Sequence, residues 1–217
     1  MHNSPDSRSG FFITPERDRM KNNKVQVLVK VSMMAAIATI LMIFEFTLPF
    51  VPPFYEFDFS EVIVLLTGFA LGPMAAIICE ALKIVLNLLF NGTNTMFVGE
   101  LANFVIGCAY VLPATLLYHK HKDRKHAIKG MILGTIVLTI SCAFINYYVM
   151  LPAYSFFMGL PIDTFVAMGT NVNSSITSLG TLIVFAVVPF NLLKGIVTSI
   201  IVFFAYKRVS PILKKDL

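Results

Sequence analysis

Lysine and arginine are confined almost entirely to three stretches of this chain, residues 8–30, 120–129 and 207–215, which hold fifteen of its seventeen cations. The intervening segments are apolar and long enough for an even number of membrane crossings, so all three basic stretches can share one side of a bilayer. Cytoplasmic loops carry the excess Lys and Arg in membrane proteins, which predicts that this side is the cytoplasm. Composition excludes a soluble domain: 57% of the 217 residues are hydrophobic and 13% are charged, against about 25% charged in soluble domains. The formal charge of +5 is then accounted for by topology and anionic membrane lipid. Nucleic acid is not an expected partner.

A hydrocarbon core about 30 Å thick needs roughly 20 helical residues per crossing. On that measure the chain is an all-α integral membrane protein, a bundle of six transmembrane helices with N and C termini cytoplasmic. The expected spans are 25–50, 60–71, 73–90, 100–118, 128–151 and 178–206, the second short and ended by the Gly72-Pro73 break. This gives a polar cytoplasmic tail over 1–24, a six-helix substrate-binding domain over 25–210 and a cytoplasmic tail over 211–217. The first 20 residues are polar and charged and lead directly into an apolar helix, so no cleavable signal peptide is expected and Met20 is a candidate start. The expected outer loops, 51–59, 91–99 and 152–177, contain no Lys or Arg. They hold Glu56, Asp58 and Asp163 with Phe54, Tyr55, Phe57, Tyr154, Phe156, Phe157 and Phe165. Part of that aromatic content suits the membrane interface. The third loop is long enough to be read as ordered and functional.

The two remaining cations, Lys83 and Lys194, lie inside apolar segments, where an ionisable group is costly and is either paired or functional. Lys83 follows Glu80 by three residues on one helical face, which predicts an internal ion pair. Lys194 follows Asn191 by the same spacing, just after Pro189. An amide beside an ammonium suits the edge of a heterocycle with adjacent carbonyl and N–H groups. The alternative is that Lys194 finds an internal acid and Asn191 bonds nearby backbone. Asn146 precedes Tyr147 and Tyr148, an arrangement that can hold a planar ligand by its edge and cover its faces, or serve as interhelical glue beside interface tyrosines. Asn103 is a further candidate.

No catalytic constellation emerges. Cys79, Cys108 and Cys142 sit in apolar runs without metal-ligand spacing and read as packed thiols. His119, His121 and His126 belong to a charged turn. There is no GxxxxGK[ST] loop, so any ATP must be bound by another chain. Small residues at four-residue spacing, Ser32/Ala36, Ala35/Thr39, Gly68/Gly72 and Gly130/Gly134, allow close helix packing in lipid.

The stretches PFVPPFYEFDFSEV, LGPMAAIICEALKIVLNLLF, LANF, INYYVMLPAY and PFNLLKGIV resemble the riboflavin-specific S component of energy-coupling factor transporters, over roughly residues 25–210. The resemblance implies a high-affinity riboflavin-binding subunit of the bacterial cell membrane, not an enzyme, in which Asn146, Asn191 and Lys194 contact the flavin. It implies that the loop 52–58 closes over the pocket, with Phe54, Tyr55, Phe57 and Asp58 near the ligand and Tyr147 and Tyr148 giving stacking area. It also implies no cofactor beyond the transported flavin, with FMN a second ligand to consider. The expected partners are a transmembrane coupling subunit and two cytoplasmic ATPases. In such proteins small residues of the first helix dock the coupling subunit, which here points to Ser32, Ala35, Ala36 and Thr39. The alternatives are a subunit for another vitamin, such as thiamine or biotin, and a small proton-coupled carrier.

Overall fold

The computed structural model of the chain describes residues 15–93 and 95–214. Helices α1 (Pro15–Ile43), α2 (Ser60–Leu71), α3 (Pro73–Asn91) and α4 (Val98–His121) are followed by α5 (Arg124–Ile145), which passes through a π turn, Asn146–Met150, into α6 (Leu151–Met158). Then come α7 (Ile162–Thr170), α8 (Leu179–Leu182), a second π turn at Ile183–Val187, and α9 (Val188–Lys214). Among the described residues, five helical stretches are long and apolar enough to cross a membrane: Lys24–Ile43, Pro73–Asn91, Val98–His121, Arg124–Met158 and Leu179–Leu213. The chain is therefore a helical, multi-pass membrane protein.

Helix α2 has only 12 residues, about 18 Å at about 1.5 Å per residue. Ten of them are buried, so protein surrounds this mostly apolar helix on all sides. Gly72, at φ +110°, supplies the left-handed residue between α2 and α3, and Pro73 then starts α3 with a fixed φ. Close helix contacts are made at glycines. A Cβ on Gly130 or Gly134 would lie 2.6 Å from the Ala114 or Tyr110 carbonyl oxygen of α4. On Gly195 of α9 it would lie 2.7 Å from Thr135 of α5.

Three boundaries differ from expectation. The first span stops at Ile43, and the chain turns into a short antiparallel hairpin, β1 (Phe46–Thr47) and β2 (Glu56–Phe57), pairing Phe46 with Phe57. Pro49, Pro52 and Pro53 disfavour helix at the residues before them, which hydropathy alone does not register. Much of the expected third outer loop is helical, as α6 and α7. Pro152 is accommodated because the π turn places the Leu151 N–H on Asn146 oxygen and restarts the helix there. The tail readings fall partly outside the described residues, at 1–14 and 215–217. Within the described residues, α1 begins at Pro15 and α9 runs to Lys214, so helix extends into both segments expected as tails.

Candidate functional site

Each π turn is followed by a proline, Pro152 or Pro189, and each lies beside one of the two asparagines singled out by sequence. Both asparagines bond back to their own helix. Asn146 Nδ2 donates to the Cys142 carbonyl at 2.9 Å and Asn191 Nδ2 to the Val187 carbonyl at 2.8 Å. This fixes the carboxamides so that their oxygens face other partners: Asn146 Oδ1 accepts from the Tyr55 hydroxyl at 3.0 Å, and Asn191 Oδ1 from the Cys142 thiol at 3.1 Å. One helical turn beyond Asn191, Lys194 Nζ donates to Asp58 Oδ2 at 2.7 Å. The other Asp58 oxygen accepts from the Ser60 N–H at 2.7 Å, at the start of α2.

These groups line a single cavity of about 190 Å³ between the segment 44–59, α4, the α5–α6 stretch and α9. Its lining includes Asn103, Asn146, Asn191 and Lys194, and Phe54, Tyr55 and Asp58 from the loop. The loop is anchored by aromatic contacts: Tyr55 to Phe190 at 5.6 Å between ring centres, and Phe54 to Phe165 at 5.7 Å. Below it, a smaller chamber of about 30 Å³ shares Asn103, Asn191 and Lys194 with the cavity.

Three of the expected ligand residues are not among the lining. Phe57 is buried in the hairpin's own core, against Phe59 and Phe190. Tyr147 and Tyr148 meet edge-on, with ring centres 4.8 Å apart, on the outer surface, 39% and 62% exposed. One helix cannot turn three consecutive side chains to one face, and Asn146 takes the inward position. Conversely, Cys142, Met150, Tyr154 and Phe190 line the cavity without having been singled out. The signal for the first three was present, because 142, 146, 150 and 154 recur every four residues.

The lip of the cavity is acidic. Burial and the neighbouring Glu56 carboxylate push Glu45 up to about 7. For Asp58 burial acts in the same direction, but the Lys194 ammonium outweighs it, with help from Lys83, and holds the carboxyl down at about 2. Burial also pushes the Tyr55 phenol up, keeping it a neutral hydrogen-bond donor.

Lys83 is fully buried and has two acids. Its Nζ lies 2.8 Å from Glu80, as the spacing predicted, and 2.8 Å from Glu61 of α2. Gly107 makes the room, since a Cβ there would sit 2.3 Å from Glu80 Oε1. The expected docking residues divide between two faces of α1. Ser32 and Ala36 are exposed, whereas Ala35 and Thr39 are 0% and 2% exposed inside the bundle. The latter pair therefore packs against the chain itself: Thr39 Oγ1 donates to the Ala35 carbonyl at 2.8 Å.

The sequence matches the family model of the ECF transporter substrate-specific component over residues 26–206. It is 37% identical over 196 residues to the riboflavin transporter RibU of Staphylococcus aureus (strain TCH60), covering 90% of this chain and 95% of that protein. It is 34% identical over 189 residues to the riboflavin transporter FmnP of Bacillus subtilis (strain 168), covering 87% and 94%. A solved structure of the S component of a bacterial ECF transporter superposes with a TM-score of 0.67 at 35% identity, covering 88% of this chain and 99% of that one. With the match running through every helix that builds the cavity, the chain belongs to the substrate-specific components of ECF transporters.

Proposed function

We propose that this chain captures riboflavin and serves as the substrate-binding membrane subunit of an ATP-driven importer. The observation that carries the reading is the convergence of Asn146, Asn191 and Lys194 on one cavity under an aromatic loop. Similarity to proteins named riboflavin transporters supports it. Each asparagine offers a carboxamide oxygen and a remaining N–H, and Lys194 offers an ammonium. The pyrimidine edge of a flavin alternates carbonyl oxygens with an imide N–H, so these three groups complement it. Phe54, Tyr55 and Phe190 would cover the ring, and Asn103 and Asp58 would meet the ribityl hydroxyls. Tyr55 and Asp58 now hold the groups the ligand needs, so binding exchanges those contacts for flavin contacts.

The cavity, about 190 Å³, is smaller than the roughly 300–1,000 Å³ usual for drug-sized ligands. Entry of a three-ring ligand therefore requires outward movement of the 44–59 loop, followed by closure. The acidic lip disfavours a phosphate, so FMN is the poorer ligand.

In this reading the chain crosses the membrane six times, the enclosed α2 being the sixth helix, with both termini in the cytoplasm. Residues 25–210 form the binding domain, flanked by cytoplasmic tails at 1–24 and 211–217. Ser32 and Ala36 lie on the α1 face that meets the transmembrane coupling subunit, and two ATPases complete the importer. No cofactor takes part. The test is accumulation of riboflavin in proteoliposomes. It should require this chain, the coupling subunit, both ATPases and ATP together, and excess thiamine or biotin should not compete. Accumulation driven by a proton gradient without the ATPases would support a carrier instead.

A further inference from the structure

Between α5 and α9, a groove of about 730 Å³ opens on the bundle surface, walled by Ile128, Ile132 and Ile136 on one side and Leu192, Ile196 and Ile200 on the other. The four-residue repeats make two parallel apolar ridges, and all six side chains are exposed. The helices touch at the groove floor through Gly195 and Thr135. The floor hydroxyl of Ser199 is 3.0 Å from that of Tyr110, so the groove presents hydrocarbon. Its walls run about 12 Å along α5 and, out to Phe204, about 18 Å along α9 at about 1.5 Å per residue. These lengths bracket one leaflet of a core about 30 Å thick.

At the end of the bundle bearing the basic turn, the groove meets a second pocket of about 170 Å³ with which it shares Met131 and Phe203. Lys122, Arg124 and Lys207 edge this pocket. The Arg124 guanidinium lies 4.5 Å from the Phe203 ring centre, at the junction of the two. Among the described residues, Asp123 is the only acid in the lining. Its carboxylate is already engaged, accepting from the His126 N–H at 2.6 Å and lying 2.7 Å from His126 Nδ1.

We propose that groove and pocket together bind one anionic phospholipid, with an acyl chain between α5 and α9 and its phosphate among Lys122, Arg124 and Lys207. Charge selects the occupant. A zwitterionic lipid offsets its phosphate with its own cation and an apolar helix brings no anion, whereas a headgroup of net negative charge gains about five-fold in affinity per cation. The site is separate from the substrate cavity and does not depend on the identity of the substrate.

The chain contains no tryptophan, so one introduced indole reports alone. I132W places it in the groove wall, and L116W places it on the exposed face of α4 as a reference. In phosphatidylcholine vesicles, brominated phosphatidylglycerol should quench I132W at a mole fraction at least about five-fold lower than brominated phosphatidylcholine. L116W should show little preference between the two lipids. Adding Lys207→Gln, at an exposed side chain, should reduce the I132W preference about five-fold, and adding Arg124→Gln should reduce it further. Equal quenching of I132W by both lipids, or a preference untouched by these substitutions, would overturn the proposal. So would quenching of I132W by neither lipid, which would mean that protein, such as a second copy of this chain, fills the groove.

Discussion

Lys194 and Lys83 are both cations in apolar helices, yet their surroundings assign them different work. Lys194 pairs with Asp58, carried on the loop that ligand entry would displace in the proposed function, and its side chain is 16% exposed beside the cavity. Replacing it with Met should weaken riboflavin binding by more than about tenfold, the loss of a charge-assisted bond worth roughly 1.5–3 kcal/mol, as read by flavin fluorescence titration. Lys83 is fully buried and pairs with two acids carried on helices, Glu61 on α2 and Glu80 on α3. Lys83→Met leaves Glu61 and Glu80 facing each other and should cost about 3–5 kcal/mol of stability, measured by thermal unfolding in detergent. Glu45 adds a pH dependence. Its carboxyl titrates near 7 in the closed loop, above its ordinary 4.5, so closure is favoured by the protonated form. That contribution is complete below about 4.5 and lost as pH rises through about 7. Asp58, held near 2, stays charged throughout this range. Riboflavin release should therefore quicken as pH rises from about 4.5 to about 7 and level off above that, and Glu45→Gln should flatten the profile.

At the scale of elements, the bundle is packed through glycines and the site is built at irregular turns. Gly134→Ala would push a methyl into the Tyr110 carbonyl region, 2.6 Å away. It should lower stability by about 1–3 kcal/mol, seen as a reduced melting temperature, with riboflavin affinity less affected because the cavity lies farther along α5. Much of the fold was legible in hydropathy and cation spacing: α2 has the limits expected for it, and α3 ends one residue beyond expectation. The end of α1 was not, because FEFTLPFVPPF is as apolar as a helix while its prolines favour extended backbone. Helices α6 and α7 were missed for the converse reason. Pro152 and Gly159 read as loop residues, and the π turn that carries helix past Pro152 has no hydropathic signature. In the site, Asn146, Asn191 and Lys194 were legible because polar groups in an apolar helix are conspicuous. Tyr147 and Tyr148 were placed on the wrong face because adjacency in sequence is not adjacency across a helix.

For the whole molecule, one feature organises the rest: a cavity roofed by the 44–59 segment at one end, and Lys122, Arg124 and Lys207 gathered at the other. The exposed Ser32/Ala36 face of α1 lies on a separate helix from the cavity lining, so a coupling subunit can engage there without touching the ligand. Bulky substitution at Ala36, for example Ala36→Trp, should therefore abolish ATP-dependent uptake in proteoliposomes while leaving riboflavin affinity in detergent unchanged. The central claim is that the cavity formed by Asn146, Asn191 and Lys194 takes riboflavin. Its most direct test is a fluorescence-quenching titration of riboflavin into the purified chain after any bound flavin has been stripped. The account predicts saturable quenching at one riboflavin per chain, reduced in Lys194→Met. A folded protein that leaves riboflavin fluorescence unquenched, or quenching unchanged in Lys194→Met, would contradict it.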